Sequence, residues 1–309
     1  MIIRSILRKM VISFSKTRLG QIYNYHPYMD DRKYIRELYK KRFGGFPDLD
    51  NPKNFNEKNN WRKLYDRKPI YTDMVDKYRI KEIIAQRVGI DYFFPLLGVW
   101  DDPNKIDFDS LPRQFVLKVN HAGGVIICRD KATLNFKEVR KELGDSLKVD
   151  YFSPSREWPY KNVKKKIIAE QYMGEGLIDY KNYCFNGKLA FTFVWQNEPK
   201  ADGSKPRPFF CGAYDRNWQK SGIEIDYPTV DKEILKPACY DEMVRVAELM
   251  SQNIPFVRVD CYIINYKVFV GEMTFFPWGG FMKFKDEKWN NLLGELEVLP
   301  TKKEMRTNE

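Results

Sequence analysis

Apolar residues recur at helical spacing over residues 30–43, where Tyr34, Ile35, Leu38 and Tyr39 share a face before Gly44-Gly45 closes the run. The same spacing predicts helices over 56–66 and 71–87, the latter carrying Met74, Val75, Tyr78, Ile80, Ile83 and Ile84 and stopping at Gly89. Beyond Gly89 the period changes. Short β-rich runs bounded by turn residues cover 114–119, 124–128, 166–171, 180–185, 188–195, 256–264 and 267–272. One late helix, over 240–251, places Met243, Val244, Val246, Ala247 and Met250 on its apolar face. Asn186-Gly187 joins two of the strands and is a hairpin signal, because both central positions of that turn need positive φ. Helices first and antiparallel strands later define an α+β plan, with no internal repeat and no low-complexity segment.

Composition narrows the chemistry. A chain of 309 residues buries a substantial core, as one large domain or as two to three subdomains sharing a cleft. Its 53 Lys+Arg exceed its 42 Asp+Glu, a net charge of +11, which favours an anionic partner such as a nucleotide, an acidic polymer or a phospholipid surface. The charge is dispersed. Its densest run, Lys164-Lys165-Lys166, reads equally as a solvated turn or a phosphate-facing patch. Cys128, Cys184, Cys211, Cys239 and Cys261 show no CxxC spacing and are odd in number, as expected of reduced cytosolic thiols. His26 and His121 alone give a zinc site or a histidine triad little material.

No run approaches the roughly 18 apolar residues of a membrane span. Residues 1–21 mix Ile2, Ile3, Ile6, Leu7, Met10, Val11, Ile12 and Phe14 with Arg4, Arg8, Lys9, Lys16 and Arg18, too interrupted for a secretory signal. Two readings stay open for this segment: a helix packed on its own protein, or a basic amphipathic helix at residues 1–20 touching the inner leaflet. Either places the chain in the cytoplasm.

The strongest constellation is Arg258-Val259-Asp260 on one predicted strand, a turn near Asn265-Tyr266, and Glu272-Met273-Thr274 closing the next. If the hairpin pairs normally, Arg258, Asp260, Glu272 and Thr274 share a face. Two carboxylates and a hydroxyl suit Mg²⁺, a hard ion that completes its shell with water and phosphate oxygens, and Arg258 would then face a transferring phosphoryl group. The competing reading is a solvated face on which Arg258 only neutralises Asp260. Upstream, Lys118 lies inside the apolar run Phe115-Val116-Leu117, and Gly123-Gly124 follows. A lysine there is costly to bury without an anion, so it is either a phosphate contact or an edge-strand lysine facing water. His121 is a phosphate or substrate contact or a hydrogen-bonded structural histidine. Glu170, at the end of Ile167-Ile168-Ala169, and Asp179 read either as contacts to an adenine edge and ribose hydroxyls or as one more strand and loop.

In this order the pieces resemble the ATP-grasp superfamily, and closely its teichuronopeptide-biosynthesis (TupA-like) branch. The phrases that carry the resemblance are Asn51-Pro52-Lys53-Asn54-Phe55-Asn56-Glu57-Lys58, Trp61-Arg62-Lys63-Leu64-Tyr65-Asp66, Val75-Asp76-Lys77-Tyr78, Phe115-Val116-Leu117-Lys118, Gly123-Gly124-Val125-Ile126-Ile127-Cys128, Arg156-Glu157-Trp158-Pro159-Tyr160-Lys161, Asp179-Tyr180-Lys181, Phe256-Val257-Arg258-Val259-Asp260 and Gly271-Glu272-Met273-Thr274-Phe275. The resemblance implies two α+β subdomains clasping ATP, at residues 71–172 and 173–302, after a helical region at 1–70 and before a tail at 303–309. It implies that Lys118 and Lys77 contact phosphates and that Gly123-Gly124 closes over them. Glu170 with Gln171, Tyr172 and Met173 would meet adenine, and Asp179 the ribose, with Lys181 nearby. Asp260, Glu272 and Thr274 would hold Mg²⁺, and Arg258 would act in catalysis with Lys118. Thr274 departs from the superfamily's usual asparagine there, and the acceptor site stays unassigned because the first region lacks an alternating β-α substrate domain.

The function so implied is a carboxylate–amine ligase working through an acyl phosphate, on an acidic saccharide or amino-acid substrate of bacterial capsule or cell-surface polysaccharide synthesis. The rival enzyme is a glycosyltransferase, for which Asp48-Leu49-Asp50 and Asp107-Phe108-Asp109 supply DxD pairs without a nucleotide-sugar Rossmann pattern. The rival non-enzyme is a surface or nucleic-acid binder using the 15% aromatic content. Nucleic acid is not expected, since the aromatics are dispersed as core and cleft residues.

Overall fold

The computed structural model describes residues 26, 28–197, 208–230 and 233–301. The basic segment at residues 1–20 and the tail at 303–309 lie outside them. Helix α1 (Asp31–Phe43) starts where Asp30 accepts from the Lys33 N–H and ends at left-handed Gly44. Helix α2 (Phe55–Tyr65) starts at a capping box in which Asn54 and Glu57 satisfy each other's backbone N–H groups.

The helix expected over 71–87 is two helices, α3 (Ile70–Val75) and α4 (Ile80–Arg87). Asp76 breaks it. Its carboxylate accepts from the Tyr78 N–H at 2.8 Å and the Arg79 N–H at 3.3 Å, while the Lys77 N–H turns outward to the Asn120 carbonyl at 3.0 Å. The break fixes Lys77 at a point where the chain changes direction.

Strands β1 (Leu96–Trp100), β2 (Phe115–Val119), β3 (Val125–Cys128) and β4 (Ile167–Gln171) form an antiparallel sheet in the order β1-β4-β2-β3. Helix α5 (Phe136–Leu147) covers one face, packing Val139 and Leu143 on Phe115, Leu117, Val119, Ile167 and Ala169. Alternation leaves Val116, Lys118 and Glu170 on the opposite face. Because β2 is an interior strand, Lys118 is not an edge lysine guarding against aggregation.

The second sheet, β7-β6-β5-β8-β9, is also antiparallel: β5 (Ile178–Phe185), β6 (Lys188–Asn197), β7 (Pro208–Asp215), β8 (Phe256–Ile264) and β9 (Lys267–Thr274). Asn186-Gly187 makes the β5–β6 turn with φ of 49° and 78°. One face packs Val257, Val259, Cys261, Val270 and Met273 against α6 (Tyr240–Ser251) and against Tyr71, Met74, Val75, Ile80, Ile83 and Ile84 of α3 and α4. On the other, aromatic residues Tyr183, Phe185, Phe191, Phe193, Trp195 and Phe256 meet Phe55 of α2, Met282, and Leu293 of α7 (Lys288–Leu296). That layer covers one end of the face; Asp179, Asp260 and Glu272 lie at the other. Among the described residues no helix is long and apolar enough to cross a membrane.

Candidate functional site: a charged cleft between two sheets

The β8–β9 hairpin turns through Asn265 and Tyr266, both with positive φ, and pairs Cys261 with Val270. Continued without a break, that register would place Asp260 opposite Gly271 and send Glu272 to the far face. A bulge intervenes. Gly271 is the extra residue, so Asp260 pairs with Glu272 and Arg258 with Thr274, and all four side chains share one face. A Cβ at Gly271 would lie 2.7 Å from the Tyr262 ring, which accounts for glycine there. On the other side of β8, Lys181 pairs with Asp260 and Tyr183 with Arg258.

The side chains interlock. Arg258 donates to both oxygens of Asp260 at 2.6 Å and approaches Glu272 at 3.5 Å. Lys181 bridges Asp179 at 2.6 Å and Asp260 at 2.8 Å. Lys77 reaches Glu272 at 3.5 Å. Burial alone would raise the Glu272 carboxyl, but Lys77, Lys181, Arg258 and Lys118 outweigh it and hold the group near 2. Asp179 moves the other way, to about 6, because burial and Asp260 together outweigh the help of Lys181. Burial opposes the charge on Lys181, yet Asp179 and Asp260 hold its pKa above the ordinary lysine value.

The first sheet closes the cleft from above. Lys118 contacts Glu170 at 2.5 Å, and Lys81 of α4 contacts the other Glu170 oxygen at 2.7 Å and the Phe94 carbonyl at 3.0 Å. Burial pushes the Glu170 pKa up, but the two ammoniums outweigh it and hold it down. Phe94 stacks on Phe269 at 5.3 Å and packs against Tyr262, while Lys118 lies 6.0 Å over its ring, so one aromatic joins the two sheets beside the cluster.

The structure thus brings Lys77, Lys118, Glu170, Asp179, Lys181, Arg258, Asp260, Glu272 and Thr274 to one cleft. Each Glu170 oxygen meets a lysine, Oε1 that of Lys81 and Oε2 that of Lys118. The Gln171 N–H is likewise given to the Pro95 carbonyl, and Tyr172 donates to Glu175 at 2.6 Å. Met173 is half-buried at the strand exit. Gly123 is exposed with open space around it, whereas Gly124 has φ +119° and would push a Cβ to 2.7 Å from Ser146 Oγ. His121 is structural. Its Nε2 meets the Val149 carbonyl at 3.2 Å, and burial with Lys165 nearby lowers it to about 4.

Sequence reasoning misses Lys81. Its signal is a lysine four residues after Lys77 and three before Ile84, on the apolar face of a predicted helix. Glu157 and Lys63, both buried, are missed as a pair as well: burial pushes Glu157 up and Lys63 down to about 7 each, partly offset by their mutual attraction. The DxD pairs are turn caps. Asp48 accepts from the Asp50 and Asn51 N–H groups and Asp107 from those of Asp109 and Ser110, with Leu49 and Phe108 in the core.

The donor set fits Mg²⁺ by its chemistry. Glu272 is the most exposed of the three carboxylates, Asp260 stands directly opposite it, and one partnerless oxygen, Asp179 Oδ1, is buried beside them. Among the described residues no group of three or more His, Cys, Asp or Glu side chains is gathered as an all-protein metal cage. Two carboxylates are what Mg²⁺ commonly takes when phosphates supply the remaining ligands.

Lysines, an arginine and strand-paired carboxylates thus line a cleft between the two antiparallel sheets of an α+β protein. The sequence profile described as TupA-like ATPgrasp matches residues 57–298, and the chain belongs to that ATP-grasp family. No curated protein sequence matches it. Among solved structures it is similar to D-alanine–D-alanine ligase from Helicobacter pylori, with 14% identity over 74% of this chain and 61% of that one, at a TM-score of 0.41. It is also similar to N5-carboxyaminoimidazole synthetase from Staphylococcus aureus complexed with ADP, with 16% identity over 74% and 53% and a TM-score of 0.41. A third is D-alanine–D-alanine ligase from Bacillus anthracis complexed with ATP, with 17% identity over 65% and 54% and a TM-score of 0.36. The chain spans between 53% and 61% of the length of these structures.

Proposed function

We propose that the protein is a cytoplasmic carboxylate–amine ligase that consumes ATP and works with Mg²⁺ through an acyl phosphate. The observation that carries this reading is the placement of Arg258, Lys181, Asp260 and Glu272 on directly paired strand positions, with Lys118 of the other sheet near enough to depress Glu272. The dense alternation of charge suits a ligand that is itself a polyanion plus a cation. Phosphate oxygens would draw Lys77, Lys118 and Lys181 out of their carboxylate pairs, opening Glu272 and leaving Asp260 held by Arg258.

Lys118 and Lys77 are assigned to phosphates and Gly123-Gly124 to the turn that closes over them. The strand exit at Gln171, Tyr172 and Met173 is assigned to adenine, and Asp179 to ribose. Asp260 and Glu272 would hold Mg²⁺, with Thr274 a weaker third oxygen; the bound ion would offset charge on the phosphates. In the first step a substrate carboxylate oxygen bonds to the γ-phosphorus of ATP as the bond to the β-phosphate oxygen breaks, releasing ADP. Arg258, rigid because Asp260 holds it at two points, is aimed to stabilise the equatorial oxygens. An amine then attacks the acyl carbon, phosphate leaves, and the amine proton is lost to solvent or a neighbouring base. The excess of basic residues favours an acidic substrate, and a uronic acid or glutamyl unit of a cell-surface polysaccharide is the assigned class.

The test is ATP-dependent phosphate release with uronic acids or glutamate paired with amines, alongside thermal shift. ATP with Mg²⁺ should raise the melting temperature of the wild type and not of Lys118→Ala or Asp260→Ala. A shift with UDP-sugars and none with ATP would refute the assignment.

A further inference from the structure

Immediately beyond Thr274 the chain turns through Pro277–Gly280, where Trp278 (φ 57°, ψ 28°), Gly279 (φ 64°) and Gly280 (φ 76°) are successively left-handed. Helix α2 clamps this turn: buried Lys63 donates to the Gly279 carbonyl, and Asn60 donates to the Gly280 carbonyl at 2.8 Å. The turn lies against the segment leading into Trp158–Tyr160, so that a Cβ at Gly279 would come to 2.9 Å from the Ser155 Cβ and 3.7 Å from Glu157 Oε1. Glycine there lets the two segments close on each other. Glu157, 6% exposed, is held between them.

Only half of that carboxylate is used. Its Oε1 accepts from Ser155 Oγ at 2.7 Å, while Oε2 has no hydrogen-bond partner among the described residues, and no lysine or arginine among them forms an ion pair with it. Lys63 is committed elsewhere, to the turn and to Asn60 Oδ1 at 2.9 Å. Burial pushes the Glu157 carboxyl above the usual carboxylate range, and Lys63, Ser155 and Arg258 only partly offset it. A buried carboxylate in that condition is stabilised by a cation brought into contact with it.

Two tyrosines accompany it. The rings of Tyr151 and Tyr160 lie 4.5 Å apart. Burial, then Glu157 and, more weakly, Glu272 raise both phenols while Arg258 opposes them, so the pair stands within electrostatic reach of Glu157 and of the Arg258–Glu272 cluster together. A carboxylate oxygen without a bonded cation beside two electron-rich rings is the chemistry that recognises an ammonium group.

We propose that Glu157, with Tyr151 and Tyr160, forms the site for the primary ammonium group of the acceptor substrate; this rests on the ligase reading above. The ammonium would donate to Glu157 Oε2 and lie against the phenol rings. Its neighbour Arg258 is where the acyl phosphate forms, so the amine is held near the carbon it attacks without entering the nucleotide's place. The same carboxylate selects an amine over an alcohol of like size, because only the charged ligand compensates it.

The test titrates the full chain with n-butylammonium and, separately, with its neutral isostere 1-butanol, read by saturation-transfer NMR, in the wild type, Glu157→Gln and Tyr151→Leu. Glutamine keeps an acceptor for Ser155 and Tyr151 is 38% exposed, so both variants should keep the fold, as circular dichroism and the urea midpoint will report. The wild type should bind butylammonium at least tenfold more tightly than butanol, Glu157→Gln should bind the two alike, and Tyr151→Leu should weaken butylammonium about threefold. No preference for butylammonium in the wild type, or wild-type affinity for it in either variant, would overturn the site. A carboxylate with a structural role alone would move the urea midpoint and leave the preference for the charged ligand untouched. The thermal shift of the wild type with ATP and Mg²⁺ is measured alongside. A nucleotide shift without the ammonium preference overturns the amine site and leaves the ligase reading standing; a Glu157-dependent preference with no adenine-nucleotide shift means that the ammonium site stands and the ligase reading fails.

Discussion

Glu170→Gln separates the structural lysine of the cleft from the nucleotide lysine. Glu170 is 4% exposed and lies 2.5 Å from Lys118 and 2.7 Å from Lys81. Removing one member of a buried ion pair costs about 3–5 kcal/mol, because the surviving charge is left without compensation. Here two ammoniums survive, and the glutamine amide offers an acceptor to only one of them. The loss should therefore fall in the upper half of that range, read as the difference in unfolding free energy in urea without nucleotide. Lys81→Met should lose a similar amount. With ATP the pattern diverges: a phosphate can replace the carboxylate beside Lys118 but not beside Lys81. Glu170→Gln should thus bind ATP at least as tightly as the wild type, Lys81→Met should bind nearly normally, and Lys118→Met should bind at least tenfold more weakly. Wild-type stability for Glu170→Gln, within about 1 kcal/mol, would refute the reasoning, as would ATP affinity lost in Lys81→Met and kept in Lys118→Met.

Deleting Gly271 removes the extra residue and leaves Glu272 opposite Asp260 in an unbroken register, so the variant should keep the circular dichroism of the sheet and still form ADP; ADP formation at background would show that the pairing alone does not make the site. Gly124→Ala should cost about 1–3 kcal/mol, from its positive φ and the contact with Ser146, measured by chemical denaturation. His121, whose folded pKa of about 4 lies below its value in the unfolded chain, leaves stability intact above roughly pH 6.5; stability falls as pH drops from there toward 4, by about 3 kcal/mol in all. His121→Asn should flatten that slope in urea titrations at pH 7, 6, 5 and 4, and an unchanged slope would exclude His121 as its origin.

The sheet-forming runs are legible in the sequence because alternation and turn residues mark them locally, as Asn186-Gly187 and the run from Phe256 to Ile264 do. The short strand β1 is not: Leu96–Trp100 contains a glycine and has no fully buried residue. Helix α5 escapes because only Val139 and Leu143 of its residues are buried. The joint face of Asp260 and Glu272 is expected from normal pairing, but the normal register from Ile264–Lys267 would have separated the two; a bulge at Gly271, which only the folded register reveals, brings them together. The interior position of Lys118 and the use of Glu170 by Lys81 depend on strand order and on a helix break at Asp76, neither of which a one-dimensional pattern encodes. Most hidden is the Trp278 turn, whose left-handed backbone is imposed by Lys63 and Asn60 from the far end of the sequence.

That clamp has a kinetic side. Helix α2 holds the turn through the Asn60–Gly280 and Lys63–Gly279 contacts, 220 and 216 residues apart in sequence, and Arg62 meets Glu297 across 235. At about 5–20 residues per second on the ribosome, the helix waits roughly 10–45 s for its partners, its lysine and arginine hydrated until then. Strand β9, which carries Glu272, ends at Thr274 and the turn begins at Pro277, so the paired carboxylates and the turn Pro277–Gly280 leave the ribosome almost together, and helix α2 waits for both.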